Sequence, residues 1–119
     1  MAKYDLEDRT ARFAENCRKL IRHLEKDISN VEDCKQLARA SASVAANYIE
    51  VNEAISKRDR IFKARLCRRE SKESKLFLTL IFTADSELAG QKAVLADEAS
   101  QLTKIFNTII GKLGGDEPL

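Results

Sequence analysis

Apolar side chains recur along the chain in steps of three and four. Leu6, Thr10, Phe13, Cys17, Leu20 and Leu24 follow that spacing, which lines one face of a helix at a bundle seam, and Ala14 and Ile21 widen it. Asp5 is the expected N-cap, because its carboxylate can accept from the exposed amides of the first turn, and Glu7 and Asp8 suit the positive end of the helix dipole. A helix near 5–27 is predicted, ending at the turn formers Asp27, Ser29 and Asn30. A second run, Cys34, Leu37, Ala38, Ser41, Val44, Ala45, Tyr48, Val51 and Ile55, predicts a helix near 31–56. Its small residues between Ala38 and Ala46 would let a neighbouring backbone come close. A third, near 59–83, places Phe62, Leu66, Phe77, Leu80 and Ile81 on one stripe. A fourth, near 86–112, carries Leu88, Leu95, Leu102, Ile105, Phe106, Ile109 and Ile110 before Gly111, Gly114 and Gly115 stop it, leaving a flexible tail over 113–119.

No segment alternates as a strand does, and the linkers are short. At 1.5 Å per residue each helix would span roughly 30 to 37 Å. An all-α, antiparallel up-down-up-down four-helix bundle filling 1–119 as a single domain is the economical arrangement.

Composition agrees with that reading. The chain has 119 residues, 44% hydrophobic and 34% charged, with four Gly and one Pro, which disfavours both disorder and a turn-rich β fold. Cys17, Cys34 and Cys67 form no CxxC pair and are odd in number, so free, reduced thiols are expected. The N-terminus is acidic where a signal peptide needs an apolar stretch, and no uncharged run, Leu76 to Ala84 included, is long enough to span a bilayer. A cytoplasmic protein without membrane association is expected.

The third stripe contains an anomaly. Continuing its face from Leu66 to Phe77 puts Glu70 and Glu73 on the apolar side. A carboxylate taken out of water without partners costs several kcal/mol, so these must reach solvent or meet cations inside the bundle. Arg9 flanks the seam of the first helix, and Asn47 and Glu50 share a flank of the second. A polar cluster of Arg9, Asn47, Glu50, Glu70 and Glu73 crossing three helices is the expectation. Its first reading is a device that fixes helix pairing; a ligand or catalytic site, or plain solvent exposure of several members, are the alternatives.

Catalytic constellations are missing from the sequence. A di-iron bundle needs two Glu-x-x-His motifs, whereas the lone His23 does not follow a glutamate by three. No metal, haem or other cofactor, no catalytic residue and no enzymatic activity are therefore expected. There is no Gly-rich phosphate loop either.

Charge is spread unevenly. The net charge is +2, yet residues 57–75 hold nine Lys or Arg against three Asp or Glu, a local +6 that leaves −4 for the rest. With Leu66 as the centre of the buried face, Lys57, Arg60, Arg68, Lys72 and Lys75 fall on the far side and Arg65 and Arg69 on its flanks. Such a ridge can lie along phosphates, with Arg65, Arg68, Arg69, Lys72 and Lys75 as the candidate RNA contacts, or it can be a solvated face. Phe82, Ile61 and Val94 lie off the main stripes and are candidates for a subunit contact.

Several segments in order resemble a known family. Asp5-Leu6, Arg9-Thr10 and Phe13-Ala14 are similar to the opening of the bacterial four-helix-bundle proteins first noticed as products of intervening sequences in large-subunit ribosomal RNA genes. Ser43-Val44-Ala45-Ala46-Asn47-Tyr48 with Glu50 resembles that family's most recognisable segment. Asp59, Lys63, Arg65, Arg69-Glu70 and Glu73 fall in its third-helix register, and Glu98-Ala99 with Leu102, Ile105 and Ile109-Ile110 in its fourth. The chain departs from the pattern at Arg60, where the family usually has Phe, at Leu76-Phe77 in place of Tyr-Trp, and at Ala45 in place of Gly.

The resemblance implies a left-handed bundle assembled as a ring-like homopentamer, with a shared role for Arg9, Asn47, Glu50, Glu70 and Glu73. A related bundle, the accessory variability determinant of diversity-generating retroelements, is a basic pentamer that engages reverse transcriptase and RNA. By that analogy of fold RNA, or an RNA–protein complex, becomes the expected partner of a non-enzymatic scaffold. A protein–protein adaptor without nucleic-acid binding is the alternative.

Overall fold

A computed structural model describes residues 3–115. Four helices follow one another: α1 (Lys3–His23), α2 (Ile28–Glu53), α3 (Lys57–Leu80) and α4 (Ser86–Lys112). Each packs on its neighbours in sequence, and α1 closes the square against α4. The short connections make neighbours antiparallel, as predicted. The bundle measures 45 × 30 × 22 Å.

Local chemistry sets the helix ends. Asp27, expected to close the first helix, opens the second: its carboxylate accepts from the Asn30 amide at 2.9 Å. Ser56 and Asp85 cap α3 and α4 in the same way, accepting from the amides of Asp59 and Leu88. Asp5 is not a cap, because α1 begins at Lys3 and Asp5 lies within its first turn. Residues 113–115, placed in the expected tail, are tied back to the end of α4. Leu113, Gly114 and Gly115 donate to Ile109, Gly111 and Ile110 carbonyls, and Gly114 takes a φ of 80°, a conformation that favours glycine. A Cβ at Gly115 would crowd the Ile110 side chain and force it to shift, so glycine suits this close passage. The remainder of that tail, 116–119, lies outside the described residues.

Three helices bury the predicted stripes. Phe13, Cys17 and Leu20 of α1, Leu24 just beyond its end, Leu37, Val44, Tyr48 and Val51 of α2, and Leu95, Leu102, Phe106 and Ile110 of α4 form the core, with the Tyr48 and Phe106 rings 5.9 Å apart. Ile55, the last position of the second predicted stripe, falls beyond α2 and is fully exposed.

The third stripe is displaced by one residue. The buried face of α3 is Ala64, Cys67, Glu70, Ser71, Ser74 and Leu78, centred about 100° from Leu66 on a helical wheel. Phe62 and Leu80 are 53% and 54% exposed. α2 and α3 are the most extensively packed pair of helices, with Cys67 Sγ 3.7 Å from Val44 O, and the face that α3 buries is built of the small residues Ala64, Cys67, Ser71 and Ser74. A search for the bulkiest stripe therefore points to the wrong side. The Ser71 and Ser74 hydroxyls donate to the carbonyls of Cys67 and Glu70, each at 2.8 Å, so their burial leaves no unmade bond.

Candidate functional site

The predicted polar cluster divides: Arg9, Asn47 and Glu50 have separate partners, and only Glu70 and Glu73 share theirs. Arg9 forms a two-pronged pair with Glu98, both contacts 2.7 Å, and a 2.9 Å bond to Gln101, joining α1 to α4. The Glu98 hydrogen bond holds the Arg9 proton more tightly than usual. Asn47 turns back on its own helix and donates to Ser43 O at 2.9 Å. Glu50 pairs with Lys63 at 2.9 Å. Glu70 and Glu73 stay together: Arg39 of α2 reaches Glu70 at 3.2 Å and Glu73 at 2.9 Å, while Arg69 reaches Glu70 at 3.1 Å. The carboxylates on the predicted apolar stripe thus do meet cations, and Arg39, which sequence reasoning missed, is the central one. Its position on an exposed flank of α2 gave no signal.

The basic ridge divides in the same manner. Arg60, placed on the outer side by the Leu66-centred wheel, is half-buried and donates to the carbonyls of Val51 and Ala54 at 3.3 and 2.7 Å, covering the C-terminal end of α2. Arg69 is engaged by Glu70 and Glu73. Arg68 donates to Asn107 Oδ1 on α4 at 3.0 Å. Arg65, Lys72 and Lys75 are exposed. Neither lysine has an ion-pair partner among the described residues.

At the end where α1 meets α2 and α3 meets α4, buried Asn30 ties the two connections together. Its amide group donates to Glu25 O at 3.1 Å and Phe82 O at 2.7 Å, and its carbonyl accepts from the Phe82 amide at 3.0 Å. The Ala84 amide donates to Glu25 Oε2 at 2.9 Å, which lowers the Glu25 carboxyl below its ordinary range. This clamp was read from sequence only as a turn.

The three cysteines are free and buried. Burial pushes the thiols of Cys17 and Cys67 up to about 12, and Cys34 upward as well. They are packing groups rather than nucleophiles. Among the described residues no group of three or more His, Cys, Asp or Glu is placed to hold a metal ion, and no helix is long and apolar enough to cross a membrane.

No protein-family model matches the chain, and no curated protein matches it. Among solved structures it is similar to a crystal structure from Bacteroides thetaiotaomicron, a protein of unknown function from the S23 ribosomal protein family. The TM-score is 0.75 at 24% identity, over 87% of this chain and 96% of that one. At that identity the likeness shows the fold: a four-helix bundle of matching size.

Proposed function

We propose that this protein is a non-enzymatic, homo-oligomeric scaffold of the ribosomal RNA intervening-sequence family, a cytoplasmic pentamer that binds RNA or an RNA–protein complex. The observation that carries the reading is the unanswered charge of Lys72 and Lys75 on the outer side of α3. Arg65 and Arg68 extend that face, and Arg69 adds less because Glu70 and Glu73 already answer it. The family reading draws on the ordered segments of the sequence and is compatible with the shape shared with the S23-family neighbour. Assembly is supported by large apolar side chains left open on the single chain, Phe82 and Val94 among them. Ile61, the third expected contact residue, is half-buried beside Gly115 and contributes less. A ring repeats the basic face several times on one particle, which raises avidity without any new contact.

Fluorescence anisotropy with a structured ribosomal RNA fragment, and duplex DNA as control, tests the reading. Binding should weaken steeply with salt, as counterion release requires, and vanish in Lys72→Glu/Lys75→Glu. Light scattering on the same sample gives the mass of the assembly. Equal or absent binding in both proteins at low salt overturns the RNA reading. The open Phe62 and Phe82 side chains would then favour a protein–protein adaptor, sought by pull-down.

A further inference from the structure

The seam between α3 and α4 has a built register. Arg68 meets Asn107, and because the helices run oppositely, each step toward the end of α3 is a step toward the start of α4. Lys72 and Lys75 therefore arrive opposite Lys104, Thr103 and Ser100. A groove of about 450 Å³ opens there, lined by Lys72, Lys75, Leu76 and Thr79 of α3 and by Ser100, Thr103 and Lys104 of α4. Sequence reading by single helices could not join Lys104 to the other two.

Rim and floor differ in chemistry. The three ammonium groups have no ion-pair partner among the described residues. The floor is apolar: Leu76 is 51% exposed, and the threonine hydroxyls are turned onto their own helices, Thr79 donating to Lys75 O at 2.8 Å and Thr103 to Ala99 O at 2.9 Å. What the threonines add to the groove is their methyl groups. A ligand matched to both parts carries negative charge beside an open apolar face.

We propose that this groove holds an unpaired nucleotide of single-stranded RNA, its phosphates on Lys72, Lys75 and Lys104 and its base on Leu76, Thr79 and Thr103. The inference rests on the RNA reading above and narrows it to strand state. In an A-form duplex the base faces are stacked away, so a duplex could use the rim and never the floor. An acidic amphipathic helix would need apolar anchors repeated over two or more turns of groove. Here Leu76 is the one large apolar side chain in the lining, so no second anchor is repeated along the groove.

The test is anisotropy of a labelled oligouridylate and of a blunt RNA duplex of equal length, on the full chain, with circular dichroism confirming that each variant is folded. Lys104→Glu should weaken both ligands by about tenfold, since both use the rim, and Lys112→Glu, the same charge change outside the groove, by much less. Leu76→Ser should weaken the oligouridylate by about threefold and leave the duplex unchanged. If the lysine variants lose binding while Leu76→Ser does not, or if the duplex binds as well as the single strand, the groove inference falls and the phosphate face stands. If wild type binds neither RNA, both fall. Capture of an acidic amphipathic peptide, dependent on Lys104 and Leu76 with no RNA binding, overturns it in favour of a protein partner.

Discussion

Both flanks of α3 carry cations, but only one flank answers them. Toward α2, Arg39, Glu70, Glu73 and Arg69 neutralise one another, Lys63 takes Glu50, and Arg60 spends its donors on the end of α2. Toward α4, Lys72, Lys75 and Lys104 stand around an apolar groove with no counter-charge among the described residues. Matched charge holds helices in place. Unmatched charge costs self-repulsion, and its use is to be sought outside the chain.

The largest expected effect concerns the buried thiols at high pH, Cys67 on the closed flank of α3 and Cys17 on α1. Cys17 and Cys67 have folded values near 12 against an ordinary 9.0. Between those two values the unfolded chain loses its thiol protons and the folded one keeps them, so stability is complete below pH 9 and falls as pH rises toward 12. By linkage this is on the order of 4 kcal/mol per thiol at the top of that window. Urea melts across it should show the decline, and Cys67→Ala should remove its share; a flat profile would mean that the thiol sites are open to water.

Next comes packing. Ser71→Leu, at a fully buried position against α2, should cost about 2–3 kcal/mol by overfilling the seam, whereas Leu76→Ser on the other flank should stay within about 0.5 kcal/mol. Similar urea midpoints for the two would break the contrast.

Smaller is Glu70→Ala, expected to cost about 1–2 kcal/mol, because Arg39 and Arg69 lose a partner but still reach water. Glu70→Gln should recover part of that loss. Smallest is Lys72→Glu/Lys104→Glu, which should move the melting midpoint hardly at all, as surface substitutions away from structural contacts do. A marked loss of stability there would place the lysines among the structural residues.

The bundle was legible because its core residues on α1, α2 and α4 are large and regularly spaced. On α3 the signal misled, since the face that packs closest is built from Ala64, Cys67, Ser71 and Ser74, which a hydrophobicity pattern ranks below Phe62 and Leu80. Glu70 and Glu73 were legible as anomalies, but their partner was not, because Arg39 is reached only across two helices. Lys72 and Lys75 were legible as charge. Lys104 belongs to a different segment, and only the antiparallel register brings it to them.

The Asn30 clamp has a kinetic consequence. Its contact with Phe82 spans 52 residues of chain, so it can close only after the α1–α2 and α3–α4 hairpins have each formed and then met. Contacts made that late tend to be absent from the barrier to folding and lost on the way out. Asn30 therefore acts as a latch on the finished bundle: it lengthens the lifetime of the native state and has little influence on how fast that state is reached.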